Sequence, residues 1–88
     1  MYSIRSKKHI DEIFSKLSKK NPKQLKIIQN KLEEITKNPY IYKPLKKPLQ
    51  NKRRVHIDKS FVLVFSIDEN EKTVILEEYD HHDKIYRK

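Results

Sequence analysis

The stretch RRVHIDKSFVLVF, residues 53–65, decides how this chain folds. Side chains alternate along an extended strand, so Arg54 and His56 share one face while Val55 and Ile57 share the other. After the polar turn that follows, the run FVLVF is apolar enough for the middle of a sheet. If Val55 and Ile57 face a layer of helices, Arg54 and His56 lie on the open face of the sheet, beside its most buried part.

Two amphipathic helices are predicted before this stretch. Apolar residues recur at helical spacing from Lys7 to about Ser18, and Asn21 is suited to cap a second helix that has Pro22 in its first turn. The second helix ends near Lys37, because the proline at position 39 disfavours helical geometry before it. So short a link between the helices predicts an antiparallel hairpin. The two apolar stripes are Ile10, Ile13, Phe14 and Leu17, then Leu25, Ile28, Leu32 and Ile35.

A short first strand and three later strands complete the predicted fold. Tyr2–Arg5 is β-prone, with Ile4 as its inward-facing residue. Because the chain has no glycine, Asn70 and the aspartates are expected to supply any left-handed backbone in the turns. The predicted class is α+β in the order β-α-α-β-β-β, with a helical hairpin packed on a small, mainly antiparallel twisted sheet. Short polar links separate the three later strands, which cover Arg53–Ile57, Phe61–Ile67 and Thr73–Tyr79.

The composition favours a small protein that meets polyanions. A chain of 88 residues predicts one domain spanning 1–88, and its net charge of +9 attracts polyanions, nucleic acid first among them. A merely soluble, lysine-rich surface is the alternative. The absence of cysteine excludes disulfides and cysteine-ligated zinc. No apolar run approaches the ~20 residues that span a bilayer, so we expect a cytoplasmic protein without a membrane partner.

Positive charge is concentrated in the first part of the chain. Residues 1–65 carry a net charge of +12, whereas residues 66–88 carry −3. A loop is predicted from Tyr40 to Gln50, because prolines and lysines alternate there. This basic segment is either a solvated loop or a rim that contacts phosphates. Between positions 43 and 54 there is no acidic residue and there are six basic ones, which are Lys43, Lys46, Lys47, Lys52, Arg53 and Arg54.

The tail EEYDHHDKIYRK, residues 77–88, is a second polar cluster. Its histidines and aspartates match no standard metal-ligand spacing, so we predict no metal and no other cofactor. A protein nucleophile is not expected either, since there is no cysteine and no glycine-framed serine. RNA cleavage needs neither, because the 2′-hydroxyl of RNA can attack the adjacent phosphate. A cation beside an imidazole, as in Arg54 and His56, suits such chemistry, although a plain solvent-facing sheet is the alternative.

These features together resemble the RelE/ParE superfamily of type II toxin–antitoxin toxins. The likeness covers almost the whole chain and includes the order of strand, helical hairpin, proline-containing loop and terminal H-x-x-x-Y. Within the superfamily, the chain is most similar to the histidine-using YafQ-like mRNA interferases. The residues that carry this likeness are Arg53, His56-Ile57, Leu63-Val64-Phe65, His82 and Tyr86.

The resemblance implies an endoribonuclease that cuts mRNA on the ribosome by 2′-hydroxyl attack and so inhibits translation. His56 and His82 then serve as general base and general acid, in an order that the sequence leaves open. Arg54 stabilises the phosphate. His82 matches a catalytic residue on the last strand of the family fold. Tyr86, four residues later, matches the terminal aromatic residue and orients or stacks. Contacts to RNA phosphates are expected from Lys43, Lys46, Lys47, Lys52, Arg53 and Arg87.

The resemblance also implies partners, namely the ribosome with its mRNA and a cognate antitoxin. The antitoxin is expected to be RelB-like and acidic, and to wrap around the toxin and neutralise its basic face.

Two departures from the family pattern bear on activity. Many RelE-like toxins have a tyrosine-arginine pair where this chain has Phe61-Val62, and the YafQ-like branch has an aspartate where this chain has Ser60, with Asp58 the nearest substitute. Two other functions therefore remain open. One is a ParE-like toxin that poisons DNA gyrase, and the other is a basic RNA-binding protein without catalytic activity.

Overall fold

A helical hairpin lies on one face of a four-stranded sheet in the computed structural model, which describes residues 1–47 and 51–86. The elements follow the predicted order with two additions, a 3-10 turn after the second helix and a short helix after the last strand. Within the described residues, no helix is long and apolar enough to cross a membrane. The elements are β1 (Ser3–Ser6), α1 (Lys8–Lys20), α2 (Pro22–Lys37), a 3-10 turn (Pro39–Ile41), β2 (Lys52–Ile57), β3 (Phe61–Asp68), β4 (Thr73–His81) and α3 (His82–Tyr86).

The sheet has the strand order β1-β4-β3-β2, which confirms the mainly antiparallel prediction. β1 runs parallel to β4, whereas β4, β3 and β2 are antiparallel neighbours. The register places His56 opposite Val62, and Val62 opposite Asp80. One row of residues therefore crosses three strands next to the end of β4, where the tail of the chain begins.

The main core lies between the helices and the sheet, as the two apolar stripes predict. Ile28 and Ile35 of α2 are fully buried against Ile57, Leu63 and other apolar residues of the sheet. Burial of this many aliphatic side chains is the main stabilising term in a domain of this size. It also confirms that Val55 and Ile57 face the helices, which leaves the alternate residues of β2 on the open face.

The hairpin is closed by the predicted capping residue. The Oδ1 atom of Asn21 accepts a hydrogen bond from the backbone N–H of Gln24 at 3.1 Å, and Pro22 occupies the first position of α2. α1 runs to Lys20, two residues beyond its predicted end at Ser18. The last two residues of α1 are exposed lysines, so the apolar pattern that predicted the helix does not extend to them although the helix does.

Three local predictions are wrong. Ile4 is 38% exposed, because β1 is the edge strand and the helices do not cover its outer side. Asn70 does not adopt the positive φ predicted for it, whereas the prediction that an aspartate does so is confirmed by Asp58 (56°). A positive φ is also found at Lys72 (49°), although lysine is not a residue type that favours left-handed backbone. β4 also continues to His81 instead of ending at Tyr79, and α3 follows it directly.

A buried hydrogen bond joins the hairpin to β4. The hydroxyl of Tyr79 donates to Oε1 of Gln24 at 2.6 Å, and the exposed fractions of the two residues are 6% and 5%. Burial raises the pKa of the Tyr79 hydroxyl, which keeps it protonated and able to donate. The rings of Phe14 and Phe61 pack on the same tyrosine, with ring centroids 5.9 Å and 5.5 Å away.

We expect Tyr79→Phe to lower the free energy of unfolding by about 1–3 kcal/mol, because Oε1 of Gln24 would stay buried without a donor. Tyr42→Phe is the matched control, since the Tyr42 hydroxyl bonds the exposed carboxylate of Glu34 and its removal leaves no buried polar atom. Urea unfolding of both variants measures the difference. Equal losses in the two variants would contradict the proposed role of the buried bond.

A second polar cluster, around Glu69, ties the turn between β3 and β4 to the start of the chain. The hydroxyls of Tyr2 and Tyr40 and the ammonium of Lys72 all donate to the Glu69 carboxylate. The hydrogen bond from Lys72, followed by those from Tyr40 and Tyr2, lowers the pKa of Glu69 to about 2. Donation to Glu69 raises the pKa of Tyr40 to about 12.

The lowered pKa of Glu69 predicts how stability changes in acid. Its contribution is complete above its ordinary value of 4.5 and is lost as the pH falls from there through about 2. We therefore expect Glu69→Gln to lose stability at pH 7 and to show a shallower further loss between pH 4.5 and 2 than the parent protein. Thermal unfolding at a series of pH values measures this, with Glu71→Gln in the same turn as control. A Glu69→Gln curve parallel to that of the parent would contradict the assignment.

Candidate functional site

The open face of the sheet is only partly open. Arg54 and His56 lie on it as predicted, but their neighbours on β3, Val62 and Val64, are buried there beneath other residues. Leu45 from the loop before β2 packs against both valines, and Ile85 of α3 packs on the same cluster. A small second core therefore covers the middle of this face and leaves the β2 side accessible.

α3 is placed over this face by one backbone bond and by Ile85. The N–H of His82 donates to the carbonyl oxygen of Ser60 at 2.7 Å, which joins the start of α3 to the turn between β2 and β3. The resemblance implied that His82 belongs to the last strand; it is instead the first residue of α3. The chain leaves the sheet at this point because Ile85 gains burial on the second core.

Three rings form a cluster at the end of the sheet. The rings of His56 and His82 lie nearly parallel, at an interplanar angle of 25°, with centroids 5.7 Å apart. Tyr86 lies against His82 with a centroid separation of 4.5 Å. All three side chains are exposed, and Tyr86 retains 40% of its accessible surface. Residues as far as 30 positions apart in the chain thus form one accessible ring cluster.

Arg54 completes this cluster with a positive charge. Its guanidinium carbon lies 5.6 Å from the centroid of the Tyr86 ring, a cation–π arrangement, and its Nη1 donates to the carbonyl oxygen of Pro44 at 3.4 Å. These contacts use only part of the donor capacity of a guanidinium, which has five N–H groups. The remaining donors can bind an anion in front of the rings.

The chemical capacity of this site is that of an acid–base pair beside a cation. Each imidazole can accept a proton from a substrate or donate one to it, and the guanidinium can stabilise a negative charge that develops between them. Among residues 1–47 and 51–86, no group of three or more histidine, aspartate or glutamate side chains is placed to hold a metal ion. The structure therefore brings together all four residues, Arg54, His56, His82 and Tyr86, for which sequence reasoning predicted catalytic roles.

The predicted phosphate-binding residues divide into two groups. Lys43, Lys46 and Lys47 are exposed in the loop before β2, and Lys52 is half-buried on the open face in line with Arg54. Arg53 lies on the opposite face, where its guanidinium is 5.0 Å from the Tyr40 ring and its Nη1 donates to the Tyr42 carbonyl at 2.7 Å. It is thus separated from the ring cluster by the sheet. Arg87 lies outside the described residues.

Sequence reasoning noted the acidic pair Glu77 and Glu78 but did not predict that one of these carboxylates is buried near the far end of the open face. Glu77 is 8% exposed, bonds the Ser66 hydroxyl at 2.6 Å and pairs with Lys7 at 2.5 Å. Burial alone would raise its pKa, but the bonds from Lys7 and Ser66 outweigh burial and lower it. A shift in strand register between Val64 and Phe65 leaves Glu77 as an extra residue opposite β3. In the sequence, the alternation of apolar residues along β4 breaks at Glu77 and Glu78, and this break was the available signal of the register shift.

Ile85 and Leu45 were also missed as organising residues of the site. Both read as isolated apolar residues in basic, polar segments, so no periodic pattern identified them. Both residues gain their burial by packing on the cluster around Val62 and Val64, which are distant in sequence from each of them.

Comparison with known families gives one match over nearly the whole chain. The family described as "ParE toxin of type II toxin-antitoxin system, parDE" matches residues 1–86. A Methanocaldococcus jannaschii protein named "Putative toxin RelE4" is 58% identical over 88 residues, which is 100% of this chain and 94% of that relative.

Two solved structures with the same fold are toxin–antitoxin complexes. The YoeB–YefM complex from Staphylococcus aureus contains a chain that is 20% identical, with a TM-score of 0.79 over 93% of this chain and 98% of that one. The RelBE2 toxin–antitoxin complex from Mycobacterium tuberculosis gives 22% identity and a TM-score of 0.72 over 91% and 96% of the two chains. At these identities the likeness shows the fold alone.

We expect Ile85→Ala to release α3 from the second core while leaving the main core intact. The loss of a half-buried isoleucine side chain costs about 1–2 kcal/mol in local packing, so backbone amides of α3 exchange faster and the ring contacts of His82 are lost. Hydrogen exchange followed by NMR measures both effects. The control is Lys84→Ala on the same helix. Unchanged exchange in the Ile85 variant would contradict the claim that this side chain holds α3 in place.

Proposed function

The chain belongs to the ParE toxin family of type II toxin–antitoxin systems, in the RelE/ParE superfamily, and from the geometry of its site we propose that it is a ribosome-dependent mRNA endonuclease. The observation that carries this proposal is the contact of His56 with His82 beside Arg54 and Tyr86. A toxin that acts by binding alone has no need for two accessible imidazoles beside a partly free guanidinium.

The proposed reaction needs no nucleophile from the protein. One imidazole takes the proton of a 2′-hydroxyl, and the 2′-oxygen attacks the adjacent phosphorus. The other imidazole gives a proton to the departing 5′-oxygen, so the products are a 2′,3′-cyclic phosphate and a 5′-hydroxyl. The order of His56 and His82 in these two roles is open. Neutral imidazole accepts the first proton and imidazolium donates the second, which leaves the pair with its total proton count unchanged.

The spacing of the two rings supports this division of work. General acid and base must each lie within hydrogen-bond reach of one of two oxygens on opposite sides of the phosphorus. With their centroids 5.7 Å apart, the rings of His56 and His82 are close enough for each to serve one of two such oxygens. Arg54 then stabilises the extra charge on the phosphate, while Tyr86 holds the guanidinium and His82 in position.

The second core gives a reason for the missing family arginine. Val62, at the position of that arginine, is fully buried among Leu45, Val64 and Ile85. A charged side chain there would have to displace this apolar cluster or remain buried and unpaired, at a cost of several kcal/mol. In this chain the transition-state cation is therefore assigned to Arg54, which reaches the ring cluster from the neighbouring strand.

An antitoxin partner follows from the family and from the surface charge. The solved relatives named above are complexes of a toxin with its antitoxin. This chain carries a net charge of +9 with exposed lysines on both helices and on the loop before β2. We infer that its cognate antitoxin is acidic and RelB-like, wraps the basic surface and blocks access to the ring cluster.

A gyrase-poisoning toxin is the second candidate, because the matching family carries the ParE name. Such a toxin would bind its target through surface contacts and would make no use of His56 and His82 as proton carriers. Induced expression separates the two functions. Rapid loss of messages indicates cleavage, whereas DNA breaks with stable messages indicate the gyrase target.

We expect His56→Ala and His82→Ala each to reduce ribosome-dependent mRNA cleavage by about 100-fold or more, the usual effect of removing a general acid or base. Primer extension on messages in a purified translation system measures the rate. His9→Ala is the matched control, because His9 is an exposed histidine on α1 and its ring takes no part in the His56–His82 or His82–Tyr86 ring contacts. Wild-type rates in both site variants would contradict the proposed catalysis.

A further inference from the structure

The turn between α1 and α2 carries an unusually dense positive charge. No acidic residue occurs between Glu12 and Glu33, and five lysines surround the turn at Asn21. All five are exposed. We call this surface the lysine tip; its residues are Lys16, Lys19, Lys20, Lys23 and Lys26.

The lysine tip is electrostatically unfavourable in the isolated protein. Lys16 and Lys20 are four residues apart on α1, and like charges at that spacing repel each other on a helix. Lys23 lies in the first turn of α2, where the helix dipole disfavours a cation and where there is no acidic residue. Within the described part of the chain, the lysine ion pairs involve Lys7, Lys31 and Lys72, which lie outside the tip. A polyanion that binds the tip would relieve this repulsion.

The lysine tip is held firmly with respect to the ring cluster. Gln24, in the first turn of α2, accepts the buried hydrogen bond from Tyr79 at 2.6 Å. Tyr79 lies near the end of β4, three residues before His82. Phe14 of α1 packs on the Tyr79 ring. The tip and the ring cluster are therefore two positive surfaces at one end of the molecule, fixed to each other through β4.

We propose that the lysine tip is a second RNA-binding surface, which binds phosphates of folded RNA while the ring cluster holds the strand to be cut. The helices cover the face of the sheet opposite to Arg54 and His56. An extended strand on the open face does not reach around to them, whereas folded RNA presents phosphates to both sides. The inference extends the proposed function by giving the toxin a separate contact with structured RNA, and it predicts binding without sequence preference.

A membrane surface fits the lysine tip less well than RNA does. Peripheral membrane binding uses exposed apolar or aromatic side chains beside the lysines. Two apolar residues that neighbour the lysine tip in sequence, Leu17 and Leu25, are half-buried against the main core. Among the described residues, the exposed large hydrophobic side chains lie elsewhere, at Met1, Ile4, Tyr40, Ile41 and Tyr86.

The test compares two variants that remove equal charge, both in a His82→Ala background so that cleavage plays no part. Lys20→Gln with Lys23→Gln changes the tip, and Lys8→Gln with Lys37→Gln changes exposed lysines at the other ends of the two helices. Fluorescence anisotropy with a labelled RNA duplex of about 16 base pairs measures affinity over a series of salt concentrations. We expect the tip variant to bind about tenfold more weakly at ~0.1 M salt, and its salt slope to fall by about two, one for each lost phosphate contact.

Three further measurements keep the outcome clear. Lys20→Arg with Lys23→Arg should retain duplex binding, which separates loss of charge from loss of folding. Equal affinities of the tip variant and its control would overturn the proposal, as would tip-dependent binding to phosphatidylserine vesicles with RNA binding unchanged. Tip-dependent duplex binding by a protein that never cleaves mRNA would instead overturn the proposed function and leave this inference standing.

Discussion

Burial of β3 on both faces is the constraint on which the rest of the structure depends. Leu63 and Phe65 face the helices and are fully sealed by them, whereas Val62 and Val64 face the other way and are just as deeply buried. A hairpin of helices can cover only one face of a sheet. The second face has to be covered by the loop before β2 and by α3, and this requirement turns the tail of the chain back over the sheet.

The candidate site is a consequence of that second layer. Because Ile85 packs on the valines of β3, His82 and Tyr86 are brought to the side of the sheet where β2 presents His56 and Arg54. The apolar contact supplies the stabilisation, and the polar residues around it remain exposed to solvent. The buried carboxylate of Glu77 is held separately, by Lys7 and by the Ser66 hydroxyl.

The elements that sequence reasoning placed correctly are those with a local physical signal. Helical periodicity and the Asn21-Pro22 cap located the hairpin, and alternation along β2 assigned Arg54 and His56 to the open face. The elements it misplaced depend on distant contacts. α3 exists because of a core that no periodic pattern announces, and the edge position of β1 exposes Ile4. Arg53 joined the predicted basic rim by proximity in sequence, although strand alternation turns its side chain to the other face.

The central claim is that the 2′-hydroxyl of the RNA substrate is the nucleophile, with the two imidazoles as general base and general acid. The decisive measurement uses ribosomes programmed with a short message, in all-ribose form or with a single 2′-deoxynucleotide at the cleaved position. We predict that the purified protein cuts the all-ribose message to a 2′,3′-cyclic phosphate and a 5′-hydroxyl, and leaves the substituted message intact at that position. Cleavage of both messages at the same rate would contradict the account.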